Sequence, residues 1–185
     1  TCKSNGLSFM QAYDDACKLN DNDFVYFLED DYLHLENACK VLKDAAECNY
    51  TDYITLYDHP DKYDRGCKFV NEECQKFGEK TILFRTNLHH FKITNSTTMT
   101  FGAFVDPLKR DRQCFYENTK TGISHDYEIF ITLRNENKFL SSPIPSLSTH
   151  GETMFLAPFI KWNEIPKYEQ SCCIAITTHK DKLDG

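Results

Sequence analysis

No stretch of this chain approaches the roughly 20 apolar residues that a membrane-spanning helix needs. Its opening residues, Thr1-Cys2-Lys3-Ser4-Asn5-Gly6, lack the regions that make a signal peptide. The chain itself is therefore expected to carry no membrane span, and any anchor would lie outside it. Basic clusters are equally scarce: Lys109-Arg110-Asp111-Arg112 is the one local concentration in a chain of formal net charge −7. That balance argues against broad binding to nucleic acid, whose phosphates require grouped Lys and Arg. No Cys-x-x-Cys pair occurs among the nine cysteines, at positions 2, 17, 39, 48, 67, 74, 114, 172 and 173. A structural zinc site therefore has little support. Internal repeats and low-complexity tracts are also missing.

What is present is enough for a folded core. At 185 residues, 41% hydrophobic and 14% aromatic, the chain has the size of one domain, and disorder is excluded. Several cysteines fall on apolar helix faces, where Cys acts as a small buried hydrophobe; a reducing, cytoplasmic location is expected. The triplets Asn49-Tyr50-Thr51 and Asn95-Ser96-Thr97 keep a secretory-pathway lumen open as the alternative.

Periodicity and punctuation order the elements. Phe9, Met10, Tyr13, Ala16 and Cys17 fall at helical spacing, which predicts a helix over residues 7–19 that stops at Asn20-Asp21-Asn22-Asp23. An apolar strand follows from Phe24. Leu35, Ala38, Cys39, Leu42 and Ala45 predict a second helix over 34–46, and residues 53–57 read as a strand. This alternation indicates an α/β sheet that is at least partly parallel. Residues 58–79 read as a loop or lid, and 81–85 with 89–94 as a hairpin joined across Thr86-Asn87-Leu88. A further helix is expected over 124–134, with Ser124 as its cap. The Pro-rich segment 141–148 reads as irregular and leads to Thr149-His150-Gly151.

The most informative feature is the run Phe24-Val25-Tyr26-Phe27-Leu28-Glu29-Asp30-Asp31-Tyr32, an apolar strand that ends in three adjacent carboxylates. Carboxylates resist leaving water, and a hard cation at the lip of a sheet gives them a reason to gather. Strand ends are also where open α/β sheets bind ligands.

These residues resemble the glycosyltransferases of the GT-A fold, of the small family 2-like kind. Glu29-Asp30-Asp31 is similar to the family's Asp-x-Asp type motif, Ser124-His125-Asp126-Tyr127-Glu128 to its acidic acceptor-site motif, and Thr149-His150-Gly151 to its late histidine. The similarity spans residues 5–151 of a single domain covering 1–185, with 152–185 as a C-terminal extension. It implies a mixed, mainly parallel sheet flanked by helices, with a small β-hairpin region. It also implies a preceding strand, helix and strand of roughly 50 residues that hold the nucleotide base, so the chain is expected to be a fragment.

The activity so implied is metal-dependent transfer of a sugar from a nucleotide-diphosphate sugar donor to a hydroxyl of a glycan or other acceptor. A divalent cation, Mn²⁺ or Mg²⁺, would offset the charge that grows on the departing diphosphate. Glu29, Asp30 and Asp31 are expected at the donor and cofactor. Alternate strand residues share a face, so Asp31 is the expected direct ligand, Glu29 meets the ribose or a metal water, and His150 completes the shell. The acceptor hydroxyl loses a proton as it attacks, and Asp126, with Glu128 in reserve, is the expected base of an inverting single displacement.

Plainer readings stand beside these. Asp30 or Asp31 would equally cap a following helix, and Asp126 would equally be a helix-start carboxylate stabilised by the helix dipole. His150, taken singly, reads as a structural loop histidine. The run Tyr57-Asp58-His59-Pro60-Asp61-Lys62-Tyr63 either lines an acceptor pocket or forms a surface turn around Pro60. A non-catalytic sugar-binding module and a metal-dependent phosphohydrolase are the competing functions.

Overall fold

The computed structural model describes residues 4–63 and 80–165. Most of the expected lid, and the end of the extension, lie outside the described residues. Helix α1, Asn5–Ala16, turns Phe9, Met10, Tyr13 and Ala16 inward, and the Cys17 N–H closes its last turn on Tyr13 O. The polar turn after it is tied by Asp23, whose carboxylate accepts from the Asn20 backbone at 3.1 Å. Strand β1, Phe24–Phe27, follows, then a short strand β2, Tyr32–His34, and helix α2, Ala38–Cys48. The expected second helix thus begins later than the sequence suggests, because Tyr32, Leu33 and His34 are drawn into a strand. Asn49, at φ 52°, ends α2 in the left-handed region, a conformation that asparagine tolerates well.

Strand β3 is Tyr53–Ile54; β4, Leu83–Arg85, and β5, His90–Thr94, form the expected hairpin. Strand β6, Phe101–Phe104, runs straight into helix α3, Val105–Glu117, which the sequence reading missed. Pro107 sits in the first turn of α3, where its missing N–H costs nothing. Helix α4 is Asp126–Asn135, preceded by His125 in the cap position, and Ser124 makes no cap bond. Strands β7, Leu140–Ile144, and β8, Ser148–His150, complete the described elements. The segment expected to be irregular therefore contains a strand, with Pro143 beyond the last β3–β7 pair, Ile54 with Ser141.

The six-stranded sheet has the order β1-β6-β3-β7-β5-β4. Only β3 with β7 is parallel; every other neighbouring pair is antiparallel. This corrects the expectation of a mainly parallel sheet. The physical reason is β6, which enters between β1 and β3 against their direction, together with the hairpin on β7. Strands β1, β3 and β7 still run the same way, so their C-terminal ends share one edge. Strands β2 and β8 form a separate antiparallel pair at that edge.

Helices α1, α3 and α4 cover one face of the sheet and α2 the other. On the first side Tyr13, Tyr53, Phe101, Phe115 and Phe130 are fully buried, with Tyr13 stacked on Phe27 at 5.7 Å. On the second, Val41, Leu42 and Ala45 pack on Phe24, Ile54 and Phe91. Each such large side chain contributes roughly 1.5–3 kcal/mol of burial. Gly102 is required by this packing, since a Cβ there would lie 2.6 Å from the Phe24 ring.

The basic run 109–112 lies on α3 and is paired with acids throughout. Lys109 meets Asp21 at 2.6 Å, Arg110 meets Asp52 at 2.9 Å, and Arg112 meets Asp14 at 2.8 Å. Asp111 is buried and accepts from Arg110, Lys138 and the Tyr53 hydroxyl. Burial alone would raise its pKa, but these donors hold the carboxyl below the usual range. Cys17, Cys39, Cys48 and Cys114 are free thiols. Of the two Asn-x-Thr triplets, Asn49 is exposed, whereas Asn95 is buried and accepts a hydrogen bond from Lys62.

Candidate functional site

Strand β1 stops at Phe27, so Leu28 and Glu29 leave the sheet and Asp30-Asp31 form a turn closed by the Tyr32 N–H on Glu29 O at 3.4 Å. The expected strand alternation of Glu29 and Asp31 does not extend this far. Instead the turn is placed by β2, whose Tyr32 pairs with His150 of β8. That register brings His150 Nε2 to 3.2 Å from Asp31 Oδ2. Gly151 allows the approach: a Cβ there would stand 2.8 Å from the Asp31 carbonyl oxygen. The remaining ring nitrogen of His150, Nδ1, accepts the Glu152 N–H at 3.1 Å.

Glu29 is anchored by Thr100, whose hydroxyl accepts the Glu29 N–H at 3.0 Å and donates to its carboxylate at 3.3 Å. Asp126 begins α4, and its Oδ1 accepts the Tyr127 N–H at 2.9 Å. Burial pushes the Asp126 carboxyl up to about 6; that N–H and the charge of His59 oppose the rise, and the charge of Glu29 adds to it. Asp126 therefore lies within the field of both Glu29 and His59. A carboxyl poised near neutrality can accept a proton under physiological conditions.

Of the residues expected from sequence, the structure brings Asp31 and His150 into contact and sets Glu29 and Asp126 within electrostatic reach of each other. Asp30 and Glu128 are exposed, and neither makes a hydrogen bond or ion pair among the described residues.

The segment from Tyr57 to Tyr63 belongs to the same place, and the surface-turn reading is corrected. Asp58 is fully buried and Lys62 is 2% exposed. Asp58 takes the Lys92 ammonium at 3.0 Å and the Tyr63 hydroxyl. His59 Nδ1 lies 2.9 Å from Asp61 Oδ1, and the other oxygen of Asp61 accepts from Ser96 at 2.8 Å. Lys62 reaches Asn95 and sits 5.7 Å from the centre of the Tyr127 ring. A dense alternation of aromatic and charged residues directly after a strand was the available signal in the sequence. It did not reveal that His59 and Asp61 would pair.

Five rings weld these segments together. Tyr32 meets His150 at 5.4 Å, His150 meets Phe155 at 5.7 Å, Phe155 meets His59 at 6.0 Å, His59 meets Tyr57 at 5.1 Å, and Tyr57 returns to Tyr32 at 5.5 Å. The Tyr57 hydroxyl also donates to Phe155 O at 2.5 Å. Behind the circuit, Thr149 Oγ1 accepts the Ala157 N–H, and Trp162 donates to Ala157 O. The extension expected over residues 152–185 thus packs on the site through its described part.

Asp31 Oδ2 and His150 Nε2 are separated about as two adjacent ligands of one ion would be, roughly 3.0 Å for bonds near 2.1 Å at a right angle. No group of three His, Cys, Asp or Glu side chains suited to a metal occurs among the described residues. Mg²⁺ is usually held by one or two carboxylates completed by water and substrate phosphate, and this pair offers one carboxylate. Binding a cation through Nε2 would require the ring proton to move to Nδ1 and the Glu152 N–H to be given up. Comparison of the chain with protein-family models, with characterised proteins and with solved structures gave no match.

Proposed function

We propose that this chain carries the catalytic part of a metal-dependent glycosyltransferase, one that moves a sugar from a nucleotide-diphosphate sugar to an acceptor hydroxyl. The observation that carries the reading is the meeting of Asp31 with His150 at the edge where β1 and β3 end, with Asp126 close enough to sense Glu29. A cation ligated by Asp31 and His150, Mn²⁺ or Mg²⁺, would supply charge stabilisation to the departing diphosphate. Glu29, fixed by Thr100, faces the donor. Asp126 accepts the acceptor's hydroxyl proton while the hydroxyl oxygen bonds to the anomeric carbon from the side opposite the diphosphate, which inverts that carbon. The buried wall from Tyr57 to Tyr63 excludes water from this region.

Calorimetric titration of UDP and GDP, with and without Mn²⁺, tests the donor site. Binding that needs Mn²⁺ and is lost in Asp31→Ala is expected. Metal-independent binding, or binding untouched by Asp31→Ala, would refute the assignment. Release of phosphate from simple esters with no need for a sugar nucleotide would favour a phosphohydrolase instead.

A further inference from the structure

The six-stranded sheet ends in an open strand. Strand β4 is the last in the order, and β5 is its one neighbour. Ile93 donates its N–H to Ile82 O and Thr86 donates to His89 O, which fixes these as hydrogen-bonded pairs of the hairpin, with Phe84 and Phe91 midway between them. Antiparallel pairing alternates, so Leu83 and Arg85 turn their N–H and C=O away from β5. No bond to these groups occurs among the described residues. The side chains along this edge are apolar and open to water. Ile82 is 68% exposed, Leu83 67%, and Tyr50, whose ring meets Phe84 at 5.4 Å, 65%.

We propose that β4 pairs with β4 of a second copy of this chain, antiparallel about a two-fold axis at Leu83, so that two sheets join into one. This axis sets Leu83 opposite Leu83 of the second copy and Thr81 opposite Arg85, each outward N–H facing an outward C=O. Successive side chains change face, so Ile82 of one copy falls opposite Phe84 of the other, with Tyr50 beside it. No cation meets a cation: Arg85 stands across from Thr81, and Lys80 across from Thr86.

Any extended strand would satisfy the open amides. A second copy is favoured because one register, using this strand's own sequence, also matches apolar side chains with apolar ones and keeps the basic residues apart. Short strands and basic side chains weaken edge pairing, and β4 has both, so association in roughly the micromolar range is expected. Leu83 lies across from Lys92 of β5, whose ammonium holds Asp58 at 3.0 Å. The pairing therefore braces the strand that supports the wall from Tyr57 to Tyr63, and it owes nothing to the transferase reading.

Sedimentation equilibrium of the full chain from about 1 µM to about 500 µM tests the pairing. The mass should rise from 21.6 kDa toward twice that value. Leu83→Pro removes one outward N–H that the β4–β5 ladder does not use, and Leu83→Lys sets a charge against its own image; each should weaken association about tenfold or more. Ile123→Lys places a charge on a similarly exposed residue, 65%, in the loop between α3 and α4, and should change nothing. Where Leu83→Pro loses the dispersed amide spectrum of the folded chain, Leu83→Lys decides. Amide exchange followed by NMR supplies the register: the Leu83 and Arg85 N–H groups should exchange more slowly as concentration rises. A chain that stays monomeric throughout overturns the proposal and leaves the edge to an unrelated strand. A dimer that survives both Leu83 variants, or is lost equally in Ile123→Lys, or leaves Leu83 and Arg85 exchange unchanged, overturns it as well.

Discussion

Replacing Asp126 by asparagine should make the protein more stable at neutral pH, by an amount the structure bounds. Burial raises this carboxyl from 3.8 to about 6, a difference of about 2 units, or roughly 3 kcal/mol at 1.36 kcal/mol per unit. The side chain is partly open to water, so about 2 kcal/mol is the realistic figure. The sign follows from proton binding. Between pH 4 and 6, taken as roughly the unfolded and folded midpoints, the unfolded chain releases this proton before the folded one does, so stability falls as pH rises. Asparagine has no proton to lose. Its advantage is therefore near zero below about pH 4, where both forms are neutral, and full above about pH 7. Urea denaturation of the two proteins at pH 5 and pH 8 measures it. An Asp126→Asn protein no more stable than its parent at pH 8, or equally more stable at both pH values, would refute the argument. A carboxylate retained at a cost to folding is what a proton-transfer role would require.

Gly151→Ala forces a Cβ against the Asp31 carbonyl oxygen, so it should separate Asp31 from His150 and weaken Mn²⁺-dependent UDP or GDP binding at least tenfold. Calorimetry on a variant shown by circular dichroism to be folded checks this. Asp111→Ala removes the buried acceptor of the Tyr53 hydroxyl, while Arg110 keeps Asp52 and Lys138 keeps Glu136, and should cost about 1–3 kcal/mol in urea unfolding. Gly102→Ala drives a methyl into the Phe24 ring and should cost about 1–3 kcal/mol, with nucleotide affinity per folded molecule unchanged.

The elements that the sequence reveals are those with strong local signals. The apolar face of α1, the face of α2 and the Thr86-Asn87-Leu88 hairpin all follow from periodicity or turn chemistry. Helix α3 did not, because Pro107 and the charged run 109–112 resemble a loop; that run is paired with Asp14, Asp21 and Asp52, residues far off in the chain. Strand direction was equally hidden. Alternating helices and strands suggest a parallel sheet, but nothing local to residues 101–104 says that β6 inserts between β1 and β3. At the site, the acidic turn and His150 were legible as residue types. Their contact depends on the β2–β8 pairing, and three-residue strands carry no periodicity. The His59–Asp61 contact stayed hidden because Ser96 and Phe155, which pack against its two members, are far off in the chain.

The five-ring circuit has a consequence for how the protein is made. Its members come from three distant stretches, around Tyr32, around Tyr57 and His59, and around His150 and Phe155. The sheet closes when β7 is laid down at Ile144, yet the circuit waits for Phe155. On a ribosome the chain therefore acquires its sheet before its ring circuit, and a nascent chain that ends between Ile144 and Thr149 holds Glu29 and Asp31 with neither His150 nor Phe155 beside them.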